Sequence, residues 1–251
     1  MLYSYGAIRN KIQPLIPGQL RAMRSKHRSR KFNRSMAGKS SAEIFEAVYS
    51  KRMWGFSDEP GEFSSGEGSR IAHTVEPYVD SISKYVGSLP GRLDAVDLGC
   101  GDFMIGSLLR PLFNGYTACD IVPSLIEHNR ERYKSLDVDF QVVNIVSDDD
   151  LPPGDIVFVR QVLQHLSNRD IARALERIRA AYPRLILTEH LPLERNFPPN
   201  IDISTGADIR LIVNSGVDIE RAPFNVSAAS TTLLCEVTLK TSRIRTILYN
   251  F

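Results

Sequence analysis

The chain has 251 residues, 43% hydrophobic and 24% charged, a make-up that suits one sizeable globular core with appended segments. No apolar run approaches the roughly 18 residues of a membrane-spanning helix, and the start MLYSYGAIRN lacks the pattern of a secretory signal. Three cysteines, Cys100, Cys119 and Cys235, with no CxxC spacing, argue against a disulfide framework or a zinc cage and make a reducing cytoplasm the expected location.

The net charge of +2 conceals a split: residues 1–42 hold ten Lys/Arg and no Asp or Glu, which leaves −8 for the rest. This basic arm is punctuated by Pro14 and Pro17. Leu2, Tyr5, Ile8, Ile12, Leu15 and Ile16 recur at roughly helical spacing. The arm is expected to lie on an anionic membrane surface, placing the protein peripherally at the inner face, or else to pack on the body or on a twin subunit in a homodimer. A solvated tail is the plain alternative.

Residues 43–90 read as a helical cap or substrate lid. Ile44, Phe45, Val48 and Tyr49 share one helical face; Ser64 to Ser69 is a turn; a second helix begins near Ser69 with Ile71, Val75, Val79, Ile82 and Val86 at core spacing. From there residues 91–251 alternate short apolar runs with helical stretches, the signature of a parallel α/β sheet. Strands are predicted at Ala95–Leu98, Tyr116–Asp120, Asp139–Val143, Ile156–Arg160 and Leu185–Thr188. Helices are predicted at Ile105–Leu112, Pro123–Ser135 and Ile171–Ala181. Two last strands, Thr232–Lys240 and Arg243–Asn250, are separated by two residues and read as a hairpin.

Ligands of such sheets bind beyond the C-terminal ends of the strands. The first strand runs into Asp97-Leu98-Gly99-Cys100-Gly101-Asp102-Phe103, where Gly99 and Gly101 let backbone turn sharply and approach a ligand. A dinucleotide fingerprint would need a third glycine, but Met104 stands there. Asp120, 19 residues after Gly101, ends the second strand, where a carboxylate can accept hydrogen bonds from both hydroxyls of a ribose. It can equally cap the helix that starts at Pro123.

This order of strand, DLGCGDF, helix, strand and Asp, followed by Asp155 to Arg160 and a helix opening at Gln161-Val-Leu-Gln-His165-Leu, resembles the class I S-adenosylmethionine (SAM)-dependent methyltransferases over about residues 90–251. The resemblance implies a Rossmann-like seven-stranded α/β sheet of order 3-2-1-4-5-7-6, with the last strand antiparallel and helices on both faces. It implies SAM as cofactor and S-adenosylhomocysteine (SAH) as product. Asp97 and Gly99 would lie near the methionine moiety, Asp120 near the ribose and Asn144 near the adenine, with Cys100, Gly101, Ile121, Ile145 and Arg160 also binding the cofactor. A narrower resemblance, to a bacterial subgroup that accompanies polysaccharide or glycolipid biosynthesis and is similar to sugar O-methyltransferases, rests on Trp54-Gly55, Ser65 to Ser69, Asn200 to Gly206, Arg210 and Pro223-Phe224. It implies a saccharide or small-molecule acceptor met by Trp54, Ser69 and Arg210. One departure is that such sequences read Arg-Asp after the fourth strand, whereas Arg160-Gln161 stands here.

A neutral sugar hydroxyl is a poor nucleophile, so a general base is expected. His190, directly after the fifth predicted strand in Thr188-Glu189-His190, is the preferred base, with Glu189 or Asp202 orienting it. His165, beside Leu163 and Leu166, reads more readily as a structural histidine. No metal is expected: Arg160 occupies the place where metal-dependent O-methyltransferases carry an Asp, and Asp148-Asp149-Asp150 reads as a solvated loop. Nucleic acid is not the expected partner, because base-modifying enzymes carry an Asp/Asn-Pro-Pro-aromatic motif where Arg160 to Leu163 stand. A small-molecule N- or C-methyltransferase and a non-catalytic SAM-binding protein are the other readings.

Overall fold

A computed structural model describes residues 28, 31–55, 63–147 and 150–251. The apolar and basic positions of the arm before residue 28, and Asp148 and Asp149 of the acidic run, lie outside the described residues. The chain divides into two compact units, Met1–Lys39 and Ser40–Phe251. In the first, residues 31–35 are helical, and the Ser35 hydroxyl donates to the Phe32 carbonyl at 2.7 Å.

The second unit opens with α1 (Ser41–Ser50). Its start is set by a capping box: Glu43 N–H donates to Ser40 Oγ at 3.3 Å, and the Glu43 carboxylate accepts from Ser40 N–H at 3.0 Å. The helix buries the four residues read from the sequence, Ile44, Phe45, Val48 and Tyr49. Next, Glu67–Ser69 forms a 3₁₀ turn, so α2 (Ala72–Gly87) begins later than predicted. Its buried stripe is Thr74, Tyr78, Ile82 and Val86. Ile71 precedes the helix and is 45% exposed, and Val75 is only half-buried, which corrects the predicted face.

Seven strands follow: β1 (Ala95–Leu98), β2 (Tyr116–Asp120), β3 (Asp139–Val142), β4 (Ile156–Arg160), β5 (Arg184–Pro192), β6 (Ser230–Thr238) and β7 (Ser242–Asn250). Between them lie α3 (Met104–Leu109), α4 (Pro123–Arg132) and α5 (Asn168–Ala181). The sheet order is β3-β2-β1-β4-β5-β7-β6; β1 to β5 pair in parallel, and β7 runs antiparallel to both β5 and β6. This is the architecture the resemblance implied. β1 is buried along its whole length, as expected of a central parallel strand covered on both faces. Phe103, Tyr116, Phe140 and Phe158 pack with Tyr78, Ile82 and Val86 of α2 in one core. No helix among the described residues is long and apolar enough to cross a membrane.

Two boundaries bear on function. β5 extends to Pro192 because β7 pairs with it all the way from Arg184 to Pro192, so Glu189 and His190 lie inside a strand and point to opposite faces. No helix opens at Gln161. That residue has φ 57°, Leu163–His165 is a 3₁₀ turn, and α5 starts only after Ser167, whose hydroxyl accepts from Asp170 N–H.

Candidate functional site

The strand order reverses between β1 and β4, and a cavity of about 360 Å³ opens beyond their C-terminal ends. One half of its lining comes from the strand ends. Gly99 has φ 81° and Gly101 φ 58°, and both N–H groups of Gly99 and Cys100 donate to the Cys119 carbonyl at 2.8 Å. A Cβ on Gly99 would lie 2.4 Å from the Val162 side chain, so only glycine lets these two loops meet.

Asp120 braces the loop. Its carboxylate accepts from Gly101 N–H and from Val122 N–H, each at 3.1 Å. Burial raises its pKa to about 6, against the opposing pull of these amides. Asp97 lines the same half, accepting from the Tyr116 hydroxyl at 3.3 Å, and burial raises it to about 7. Cys100 is held as a thiol, because burial pushes its pKa up. Ile121, Asn144 and Ile145 form the adjoining wall, with the Asn144 side chain accepting from Val146 N–H at 3.0 Å. The predicted cofactor residues Asp97, Gly99, Cys100, Gly101, Asp120, Ile121, Asn144, Ile145 and Arg160 thus share one cavity.

A roof the sequence did not disclose is fastened to this loop. Asp102 N–H donates to Ser65 Oγ at 2.8 Å, while the Asp102 carboxylate accepts from Ser65 N–H at 3.2 Å and from the Arg70 guanidinium at 2.9 Å. A Cβ on Gly101 would meet Ser65 Oγ at 2.3 Å, a second reason for glycine there. The partners lie 37 residues apart, and no local pattern announces them.

The other half is walled by side chains from distant segments. The Trp54 indole N–H donates to the Ala207 carbonyl at 3.0 Å, and Tyr49 stands edge-on to the indole at 5.1 Å. On the Trp54 side the His165 ring lies 4.7 Å away, centroid to centroid. His165 Nδ1 sits 3.1 Å from the Asp208 carbonyl, which can only accept, so Nδ1 carries the proton and Nε2 keeps its lone pair. Burial lowers the imidazole pKa to about 4, so the ring is neutral at physiological pH. His165 is therefore a cavity residue as well as a structurally anchored one.

At the end of β4, the Arg160 guanidinium donates to the Gly68 carbonyl at 2.9 Å and to Gln161 Oε1 at 3.0 Å, and it stacks over Tyr78 at 5.0 Å. Ser69 and Trp54, both predicted to meet the acceptor, line this half. His190 reaches the cavity edge, but its Nε2 is 2.7 Å from the Ser242 hydroxyl, and burial lowers its pKa.

Three predicted residues do not line the cavity. Arg210 is fully buried; it donates to the Leu166 carbonyl at 2.9 Å and to Asn168 Oδ1 at 2.5 Å. Glu189 is buried on the face of β5 opposite His190, where burial raises its pKa to about 8 and the attraction of Arg210 opposes the rise. The amides of Leu163 and Gln164 face its carboxylate without closing full hydrogen bonds. Asp202 is exposed and accepts from Asn168 N–H at 2.7 Å. The trio underpins the turn carrying Gln164 and His165, so the predicted contact of Arg210 with an acceptor, and of Glu189 and Asp202 with reacting groups, gives way to support from behind. Among the described residues no group of three or more His, Cys, Asp or Glu side chains is arranged to hold a metal ion.

Residues 96–182 match the family model of a methyltransferase domain. No curated protein sequence matches the chain. Among solved structures, the chain is similar to the N-methyltransferase NodS from Bradyrhizobium japonicum WM9 in complex with SAH, at 14% identity and a TM-score of 0.55, covering 77% of this chain and 93% of that one. It is similar to magnesium protoporphyrin IX methyltransferase from Synechocystis PCC 6803 with bound SAM, at 19% identity and a TM-score of 0.52, covering 85% and 99%. A third likeness is to the N-terminal domain of EvdMO1, solved in the presence of SAH and D-fucose, at 13% identity and a TM-score of 0.51, covering 74% and 84%. The fold is that of SAM-dependent methyltransferases, and SAM is the cofactor of this domain type.

Proposed function

We propose that this chain is a SAM-dependent methyltransferase that places a methyl group on an acceptor hydroxyl, most specifically one of a saccharide or glycan precursor. The observation that carries this reading is the single cavity joining the glycine loop of β1 to a neutral imidazole whose Nε2 accepts only a long contact, 3.4 Å, from the Gln164 amide.

The residues present suit the cofactor. Gly99, at φ 81°, turns the chain sharply where the strand meets the helix, and Asp120, though it accepts backbone amides on both carboxylate oxygens, keeps acceptor positions for ribose hydroxyls. When bound, SAM supplies a methyl group already activated for in-line displacement. The chain's own contribution is mainly placement, a term that can reach ~7–11 kcal/mol for well-aligned partners. His165 Nε2 is the base we assign: anchored through Nδ1, it accepts the hydroxyl proton, which helps by roughly 10²–10⁴-fold. His190, preferred on sequence grounds, already has its Nε2 on Ser242 within the sheet. Trp54, fixed by its bond to Ala207, offers a rigid apolar face, and Ser69, Gln161 and Gln164 offer neutral polar groups, a combination suited to a polyhydroxylated ring. That one structure of this fold was obtained in the presence of D-fucose is in keeping with such an acceptor.

The test is to incubate the protein with labelled SAM and a panel of oligosaccharides, nucleic acids and small amines. Label is expected in the saccharides; label confined to amines or nucleic acid overturns the reading. The basic arm we assign to an anionic membrane surface on the cytoplasmic side; loss of vesicle sedimentation on deleting residues 1–42 is the expected result, and unchanged sedimentation refutes it.

A further inference from the structure

We infer that the acceptor carries an anionic group, a carboxylate or a phosphate, that docks on the Arg160 guanidinium. This rests on the methyltransferase reading of the same cavity.

Arg160 is a half-buried cation whose hydrogen-bond partners are all neutral: the Gly68 carbonyl at 2.9 Å, Gln161 Oε1 at 3.0 Å and Ser69 Oγ at 3.5 Å. Other arginines of the body are differently placed. Arg70 meets Asp102 at 2.9 Å, Arg245 meets Glu236 at 2.9 Å, and Arg210 lies 4.0 Å from Asp202 with Glu189 attracting it. Asp97 and Asp102 attract Arg160 only from longer range. Of the five N–H donors of the guanidinium three are spent on these partners; the Nε–H is buried without a partner and one N–H of the second terminal nitrogen is unspent. Such a fork suits the two oxygens of a carboxylate or phosphate.

The charge balance of the cavity points the same way. His165 and His190 are both kept neutral by burial, so neither answers the guanidinium nor competes for an anion. The carboxyls lining the cavity, Asp97 and Asp120, belong to the strand-end half. The sulfonium of the cofactor adds positive charge rather than removing it. A cation withdrawn from water with no carboxylate in hydrogen-bond contact is unfavourable, and an anionic acceptor supplies that direct partner. Stacking on Tyr78 at 5.0 Å and the bond to Gly68 hold the guanidinium in place for it. Within the saccharide reading, the acceptor class is an acidic sugar, a uronate or a sugar phosphate.

Calorimetry on the full chain saturated with SAH tests this, with glucose, glucuronate, glucose 6-phosphate and 4-hydroxybenzoate as probes. At least one acidic sugar is expected to bind about tenfold or more tightly than glucose, the scale of one charge-assisted contact. Arg160→Gln should erase that preference by a factor well beyond any change in SAH affinity, with an unchanged urea midpoint showing the variant is folded, and Arg160→Lys should keep part of it. Equal binding of glucose and the acidic sugars, or no binding of any anion, overturns the inference. So does a fall in SAH affinity in Arg160→Gln that matches the loss of acid binding, since the guanidinium would then serve the cofactor. Binding of 4-hydroxybenzoate but of neither acidic sugar upholds the anion site and overturns the saccharide reading.

Discussion

One end of the cavity is made of backbone and the other of side chains. Around Gly99 and Gly101 the chain uses positive φ, amide-to-carbonyl bonds and a carboxylate that braces the loop, all within the ends of β1 and β2. Around Trp54 and His165 the wall is assembled from α1, the turn after β4 and the segment near Ala207, and each of its contacts has a side chain as one partner. The first end can serve one ligand that never changes; the second can be respecified by substitution without disturbing the first. The difference predicts that the two ends fail separately.

The largest separation is expected at His165. His165→Ala should lower kcat by about 10²–10⁴-fold with SAH affinity unchanged, measured by turnover and by calorimetry side by side; a parallel loss of SAH binding would break the division. Gly99→Val does the converse. A side chain there meets Val162 in a left-handed backbone, and SAH binding should weaken by about 100-fold or more, a cost of roughly 3 kcal/mol. Asp120→Ala should weaken SAH by about 1.5–3 kcal/mol through loss of charged hydrogen bonds.

Glu189 tests the support behind the turn. Its pKa is about 8 when folded against an ordinary 4.5, so its contribution is fully present below pH 4.5 and is lost as the pH rises through 8. Glu189→Gln should flatten urea midpoints across that window, with kcat moving more than KM. Asp202→Ala, at an exposed position, should cost less than ~1 kcal/mol and leave turnover intact; a collapse of activity would return Asp202 to the reacting groups.

The same division decides what could be read from the chain. β1, β2 and β4 are predicted at their observed limits because buried parallel strands leave uninterrupted apolar runs, and the glycine loop with Asp120 is legible because its chemistry is local. Arg210 reads as an acceptor contact only through the narrower resemblance; that it is buried follows from Glu189, Leu166 and Asn168, which only the fold brings to it. Glu189-His190 looks like a loop because two polar residues end an apolar run. The strand continues through them because β7 supplies a partner from more than fifty residues downstream, with Glu189 opposite Arg245. For α2 the start was misplaced by a 3₁₀ turn, and a shift of that size turns the stripe away from Ile71.

The bond from Trp54 to Ala207 spans 153 residues of chain. During synthesis, the strand ends that hold Gly99, Asp120 and Asn144 are all complete while the carbonyl that fixes the indole has yet to be made. A ribosome-bound chain arrested before residue 207 therefore carries the sequence of the whole strand-end half but lacks the carbonyl that anchors the indole N–H. Closing so wide a loop is slow relative to local pairing, so the acceptor wall is set later than the turn of β1 that it faces.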